Sequence, residues 1–200
     1  MKKKKLAILG AGGHGKVIGE IALLNEYDVI DFFDDRVNEI KEYPFKIIDK
    51  QNNLKEYLNN YDAFFVAIGD NKIRSEKFNF LKNLKVNIVS LIHPKSTISK
   101  FSFIGIGTCV MANAAINPGT VIKDGVIINT STSIDHDCVI DNFAHISPNS
   151  SLSGSVQIGK FTHLGTGTSV HPGINIGNNV KTVVGSSIFK DILEGKTYKN

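Results

Sequence analysis

The chain has 200 residues, 42% of them hydrophobic, and a net charge of +4, which is enough for one or two domains with buried cores. Much of the positive charge lies in Lys2 to Lys5, no basic cluster recurs and tryptophan is absent, so the composition argues against a nucleic-acid partner. No apolar run reaches membrane-spanning length, and Cys109 and Cys138 form no CxxC pair, which suits a reducing compartment. We therefore expect a cytoplasmic protein.

The first half of the chain alternates apolar strand patterns with helical patterns. Strands are predicted at 5–9, 28–33, 45–48, 63–68 and 86–91, and helices from the glycine motif to about 24, at 52–59 and at 73–84. This alternation is typical of a small parallel sheet flanked by helices. We assign residues 1–90 to an α/β domain, half of a Rossmann-like fold.

A glycine motif, G-A-G-G-H-G at 10–15, follows the first predicted strand and opens the first predicted helix. Glycines let the backbone approach phosphate, and a helix N-terminus favours negative charge. About 90 residues supply half of a doubly wound fold, which is enough for one nucleotide and not for two. The motif therefore favours a nucleotide sugar, and a tight strand–helix turn without a ligand is the alternative.

Six residues are expected to bind the nucleotide sugar, because the carboxyl ends of parallel strands meet at one edge of the sheet. The glycines and the histidine would lie near the phosphates or the sugar, and the two aspartates near the base or ribose. The six are Gly12, Gly13, His14, Asp34, Asp35 and Gly69.

The second half carries a six-residue repeat. From Ile92 to Ile188 every sixth residue is a branched aliphatic, with Thr182 as the exception. This period fits neither an α-helix nor a coiled coil, and it is the hexapeptide period of a parallel β-helix. Three such units close one triangular coil of about 18 residues with the aliphatic side chains inside. We assign residues 91–200 to this β-helix.

The segment D-H-D at 135–137 places His136 two residues after the core position Ile134, at or beside a corner of the coil. Asp137 could hold one ring nitrogen of His136 and make the other more basic. A solvated corner histidine is the alternative. His145 follows nine residues later, half a coil away, so the two histidines could share a site only across a subunit boundary.

His145 and His163 are 18 residues apart and should stack on adjacent coils. Stacked histidines can bind zinc, but a metal site needs a third ligand and the chain contains no H-x4-H. We predict no metal, with a zinc-dependent hydratase as a distant alternative.

Several motifs together resemble the bacterial nucleotide-sugar acyltransferases of the PglD/NeuD type. They are G-A-G-G-H-G at 10–15, F-F-V-A-I-G-D-N at 64–71, L-I-H-P at 91–94, N-T-S-T-S-I-D-H-D-C-V-I at 129–140 and H-I-S-P at 145–148. The resemblance covers residues 6–192. It implies a left-handed form of the β-helix, a homotrimer with active sites between subunits, and an N-terminal nucleotide-sugar domain.

The same resemblance implies roles for individual residues. His136 would be the general base, Asp137 would raise its basicity and Asn129 would help build the active site. The positions that would contact acetyl-CoA are His145, Thr166, Val184 and Gly185. Relatives usually end in a G-x-P-A-K/R loop, whereas this chain has Gly195-Lys196 without the proline.

The predicted function is an acetyl-CoA-dependent N-acetyltransferase. Its acceptor would be the amino group of a nucleotide-linked amino-deoxy sugar, typically a UDP-4-amino-4,6-dideoxy sugar, in surface glycan or glycoprotein biosynthesis. The alternatives are O-acetylation of sialic acid, N-acylation of a GDP- or dTDP-linked amino sugar, and a non-catalytic sugar-nucleotide-binding protein.

Overall fold

The computed structural model describes residues 3–199, which divide into two compact units with the chain boundary between Leu91 and Ile92. The first unit contains β1 (Lys5–Leu9), α1 (Gly13–Leu24), β2 (Val29–Phe33), β3 (Lys46–Asp49), a 3₁₀ helix (Gln51–Asn60), β4 (Ala63–Val66) and α2 (Asn71–Asn83). Its four strands form one parallel sheet in the order β3-β2-β1-β4.

The central strand β1 is a continuous apolar run, as expected for a parallel strand covered on both faces. Leu6, Ile8 and Leu9 are fully buried. Strand β1 pairs with β2 on one side and with β4 on the other. The carboxyl ends of all four strands therefore lie at the same edge, where α1 and α2 begin.

Two predicted elements differ from the structure. The strand predicted at 86–91 is wrong, because the segment pairs with the sheet only through a single bridge, from Ile88 to Phe64 of β4. The segment follows a left-handed residue, Lys85 (φ 55°), and its last residue, Leu91, begins the next strand of the chain. The helix predicted at 52–59 is a 3₁₀ helix, Gln51–Asn60.

The second unit is a parallel β-helix of two-residue strands. In chain order they are β5 (Leu91–Ile92), β6 (Thr97–Ile98), β7 (Phe103–Ile104), β8 (Cys109–Val110), β9 (Ala115–Ile116), β10 (Val121–Ile122), β11 (Ile127–Ile128), β12 (Ser133–Ile134), β13 (Val139–Ile140), β14 (His145–Ile146), β15 (Ser151–Leu152), β16 (Gln157–Ile158), β17 (His163–Leu164), β18 (Ser169–Val170), β19 (Asn175–Ile176), β20 (Lys181–Thr182), β21 (Ser187–Ile188) and β22 (Thr197–Tyr198).

Every third strand falls on the same side of the triangular column. The first side is β5, β8, β11, β14, β17, β20 and β22; the second is β6, β9, β12, β15, β18 and β21; the third is β7, β10, β13, β16 and β19. Partners are 18 residues apart, as in Ile122, Ile140 and Ile158, except that β20 and β22 are 16 apart. The aliphatic repeat therefore stacks into one core. We call the corner that follows each side by the same ordinal.

The single polar residue in the aliphatic repeat is accommodated by hydrogen bonds. Thr182 is buried, and its hydroxyl accepts from the Gly165 N–H at 2.9 Å and lies 2.9 Å from the hydroxyl of Thr168. A buried hydroxyl costs little when its partners are present, so the column continues through this position.

Candidate functional site

The carboxyl edge of the N-terminal sheet opens into a cavity of about 440 Å³. All six residues predicted to bind a nucleotide sugar line it, together with Gly10, Arg36, Gln51, Ala67, Ile68 and Ile73. The strand ends therefore bring the predicted set together, and they add Arg36, Gln51 and Ile73, which no sequence motif singled out.

Glycines around this cavity serve two different purposes. Gly10 has a φ of +105°, and a Cβ there would lie 2.9 Å from the carbonyl oxygen of Ala67; at Gly15 it would strike the carbonyl of Gly10. Both are required by the fold. At Gly12, Gly13 and Gly69 a Cβ would meet nothing within 4 Å, and the backbone is not left-handed. Their missing side chains leave space for a ligand.

Helix α1 begins at this cavity without a side-chain cap on its first amide groups. Helix α2 begins differently, because Asp70 accepts hydrogen bonds from the N–H groups of Lys72 and Ile73. Uncapped N–H groups and the helix dipole together favour an anion, so the start of α1 is suited to phosphate.

Asp34 holds the glycine loop in place. Its carboxylate accepts from the Ala11 N–H at 2.7 Å and from Arg36 through its N–H and Nε, at 2.9 and 3.0 Å. Burial opposes ionisation of Asp34, but the hydrogen bonds from Arg36 and Ala11 outweigh it, and the pKa is lowered. The oxygens of Asp34 thus hold its own chain, whereas Asp35 is more exposed and also lines the cavity.

His14 is another polar residue of the cavity wall, and the Arg74 charge acts on it. Arg74 is buried and donates to the carbonyls of Ile68 and Gly69 and to the Asn71 side chain. Burial, with a smaller contribution from the Arg74 charge, lowers the pKa of His14 to about 4. His14 is thus neutral at physiological pH, and its buried Nε2 has no hydrogen-bond partner in residues 3–199.

His136 lies at the second corner of the β-helix, and its side chain is 58% exposed. Its Nδ1 is 2.8 Å from Oδ2 of Asp137. Because a carboxylate only accepts, Nδ1 carries the proton and Nε2 keeps a lone pair. The hydrogen bond to Asp137, followed by the charge of Asp135, raises the pKa of His136. This is the arrangement of a general base.

Asp135 connects His136 to the second side of the column. Its Oδ1 accepts from the Asn117 side chain and from the His136 N–H, both at 2.8 Å. It also lines a cavity of about 300 Å³ on that side, together with seven uncharged residues. They are Ala115, Asn117, Ser133, Ile134, Ser151, Leu152 and Ser153.

The ring of His136 rests on Gly154, one coil further along. A Cβ at Gly154 would lie 2.6 Å from both Cε1 and Nε2 of the ring.

We expect Gly154→Ala to displace Nε2 and to lower kcat about 10- to 100-fold, since an error of about 1 Å in a catalytic group has effects of this size. Steady-state kinetics checks this, with Ser155→Ala at the neighbouring exposed residue as control. An unchanged kcat would show that this ring position is not needed.

The structure separates Asn129 from His136. Asn129 lies at the first corner, and its Nδ2 is 3.1 Å from Nε2 of His145 on the first side. His145 stacks on His163, as predicted, with ring centroids 4.4 Å apart. The three residues predicted to be catalytic therefore split, with Asn129 beside His145 and the pair His136–Asp137 at another corner.

Three residues predicted to line a CoA channel share the first corner with Asn129. Thr166 and Val184 are exposed, and Val184 has 74% of its surface accessible. Gly185 has a left-handed backbone (φ +72°) that glycine adopts without strain. Val184 is thus an exposed apolar side chain at this corner.

No group of three metal-ligating side chains is placed to hold a metal ion within residues 3–199. None of the helices in the described part of the chain is long and apolar enough to cross a membrane.

Comparison with known proteins identifies the family to which the chain belongs. The family model for the PglD N-terminal domain matches residues 5–81. The acetyltransferase domain of PglB from Neisseria gonorrhoeae FA1090 is 40% identical over 98% of this chain and 96% of that chain, with a TM-score of 0.92. The chain belongs to the PglD/NeuD-type family of sugar acyltransferases. A structure of the same PglB domain contains acetyl coenzyme A.

Two further PglD/NeuD-type relatives show the range of the family. PerB from Caulobacter crescentus, solved in complex with CoA and GDP-perosamine, is 30% identical over 96% of this chain and 92% of that chain, with a TM-score of 0.92. UDP-N-acetylbacillosamine N-acetyltransferase of Bacillus subtilis (strain 168) is 34% identical over 117 residues, which span 54% of this chain and 52% of the relative.

These matches confirm the family resemblance found in the sequence motifs. They also confirm the predicted fold, an α/β half-Rossmann-like unit followed by a left-handed parallel β-helix, and the prediction of an acyltransferase.

Proposed function

We propose that this protein transfers the acetyl group of acetyl-CoA to the amino group of a nucleotide-linked amino-deoxy sugar, such as a UDP-4-amino-4,6-dideoxy sugar, in surface glycan or glycoprotein biosynthesis. The observation that carries the proposal is the exposed imidazole of His136, with Nδ1 held by Asp137 and a lone pair on Nε2. The ligands named for the PglB domain and PerB, acetyl coenzyme A and CoA with GDP-perosamine, support the same chemistry.

In this proposal His136 Nε2 accepts a proton from the sugar amine as the nitrogen attacks the thioester carbonyl. The carbon–sulfur bond breaks, an amide forms, and the imidazolium returns its proton to the departing thiolate. Asp137 keeps the ring oriented and stabilises its charged form. Cys138 takes no part, since its thiol is buried and donates to the Ser153 carbonyl.

The N-terminal domain, residues 1–90, holds the nucleotide part of the acceptor in this scheme. The uncapped start of α1 and the space at Gly12 and Gly13 suit a diphosphate. Because His14 is neutral, it can form a hydrogen bond with the ligand but adds no charge to the site. The β-helix domain, residues 91–200, binds acetyl-CoA through His145, Thr166, Val184 and Gly185.

A homotrimer in the cytoplasm completes the proposal. His136 and Asp137 lie at the second corner, whereas Asn129 and His145 lie at the first corner and first side, so the second side separates them in one chain. A neighbouring subunit can bring the two sets together, as cyclic packing of identical subunits repeats one interface at each site.

Subunit mixing tests the shared site. A variant His136→Ala and a variant His145→Ala are each expected to be inactive alone. Co-refolded at equal amounts as trimers, they should regain about a quarter of the sites, because each site takes one group from each of two subunits. Light scattering gives the oligomeric state. A monomer, or mixed subunits that regain no activity, would contradict the proposal.

The substrate is tested by release of free CoA from acetyl-CoA with a panel of UDP-, GDP-, dTDP- and CMP-linked sugars. A UDP-linked 4-amino sugar is expected to react, and its product should contain an amide. Calorimetry with acetyl-CoA accompanies the screen. Absence of binding heat would identify a sugar-nucleotide-binding protein without transferase activity.

The pH profile tests the role of Asp137. General-base catalysis needs neutral His136, so kcat/KM should rise with pH through the raised pKa of that histidine. We expect Asp137→Asn to move this acidic limb to lower pH and to lower the plateau, because the main cause of the raised pKa is removed. An acidic limb at the same pH in both proteins would show that His136 does not titrate in the assay.

A further inference from the structure

Gln51 lines the N-terminal cavity with a buried side chain. Gln51 is the first residue of the 3₁₀ helix, only 6% exposed, and its Oε1 has no partner in the described chain. Its backbone N–H, in contrast, donates to Asp35 at 3.1 Å. A buried amide left unpaired costs about 1–3 kcal/mol, so its position indicates a ligand that supplies the missing bond.

The strand order locates Gln51 relative to the phosphate position. Along the edge of the sheet, Gln51 follows β3, Asp35 follows β2, Gly12 follows β1 and Gly69 follows β4. With the diphosphate at the start of α1, beyond β1, the ribose falls above β2 beside Asp35. The next strand end, that of β3, is then the position of the base, where Gln51 lies.

Arg36 provides a second feature of a base site. Its guanidinium is fixed by two hydrogen bonds to Asp34, Nε to Oδ1 at 3.0 Å and Nη2 to Oδ2 at 3.2 Å. The side chain is still 56% exposed and lines the cavity. A guanidinium held in one plane, with a free face, is suited to stacking on a flat aromatic ring.

We infer that Gln51 binds the nucleobase of the substrate, accepting a ring N–H at Oε1 and donating from Nε2 to the adjacent carbonyl. A carboxamide has one acceptor and two donors, so it pairs with an N–H beside a C=O, the edge that uracil, thymine and guanine present. The inference rests on the proposed use of a nucleotide-linked substrate.

Calorimetry on the full-length protein tests the inference with UDP, GDP, CDP and ADP, and with UDP-linked sugar. UDP or GDP should bind best to the wild type. We expect Gln51→Leu to raise the Kd for that nucleotide about 10- to 100-fold, the effect of losing a buried paired amide. Inorganic pyrophosphate, which has no base, should stabilise both proteins equally in thermal shift. Asn59→Leu, an exposed amide of the same helix, is the matched control.

A second variant covers the case in which Gln51→Leu does not fold. Gln51→Glu keeps the shape but replaces the donor by an acceptor. UDP binding should weaken more than GDP binding, because guanine can offer a carboxylate its ring N–H and its amino group, whereas uracil has a carbonyl on each side of its N–H. Unchanged nucleotide affinity in the variants overturns the inference. Unchanged UDP affinity with weaker UDP-sugar binding also overturns it, because Gln51 would then contact the sugar. A wild type that binds acetyl-CoA but no nucleotide overturns the proposed substrate class as well.

Discussion

Replacing His136 with alanine is expected to lower kcat for acetyl transfer by about 100- to 10,000-fold, the usual contribution of a positioned general base. The variant loses the only imidazole that the described structure holds against a carboxylate at an exposed corner. Binding of acetyl-CoA should persist, because the predicted CoA contacts lie at the first corner. Assays of CoA release measure kcat, and calorimetry with acetyl-CoA measures its binding.

A matched control for this variant is His171→Ala. His171 is also an exposed histidine on the β-helix, but no acidic residue flanks it in sequence. Its removal should leave kcat within a few-fold of the wild type. If His136→Ala retained full turnover while His171→Ala lost it, the base would have been assigned to the wrong histidine of the second corner.

The second large effect is expected for Asp34→Ala. The substitution removes the acceptor of the Ala11 N–H and the anchor of Arg36, so the glycine loop loses the contact that fixes it over the cavity. We expect the Kd for the nucleotide substrate to rise about 100-fold, from the loss of charge-assisted hydrogen bonds to a buried carboxylate. Calorimetry with the nucleotide measures this change, and acetyl-CoA binding should stay the same.

Asp62→Ala is the control, because Asp62 also accepts a backbone N–H, from Lys5 at 3.0 Å, but at the start of β1, away from the cavity. It should reduce stability slightly and leave nucleotide affinity unchanged. Equal losses of affinity in both variants would mean that the loop depends on the stability of the sheet and not on Asp34.

The sequence was most informative where one physical requirement repeats along the chain. The six-residue spacing of aliphatic side chains predicts the column, because each coil must bury the same face at the same point. The glycine motif predicts a strand–helix turn open to phosphate, since both its backbone and its helix N-terminus are local properties. The Asp-His-Asp segment predicts a histidine with raised basicity, because its partner is the next residue.

The sequence was less informative where an outcome depends on contacts distant in the chain. Nothing local distinguishes Asp34, whose carboxylate is consumed by Ala11 and Arg36, from Asp35, which faces the cavity. Gln51 has no motif at all, and it matters only because β3 ends beside β2. The strand predicted at 86–91 failed for the same reason, since its pairing with β4 is limited to the bridge between Ile88 and Phe64.

By itself the sequence determined the two architectures, the glycine loop and the acid-flanked imidazole, because spacing and adjacent residues fix them. Only the tertiary structure decided which side chains meet. Coil stacking put Gly154 under His136 and paired Asn129 with His145, and sheet order gathered four strand ends around one cavity. The physical reason is that periodicity fixes the face on which a residue lies, whereas its neighbours from other coils and strands are set by how those faces pack.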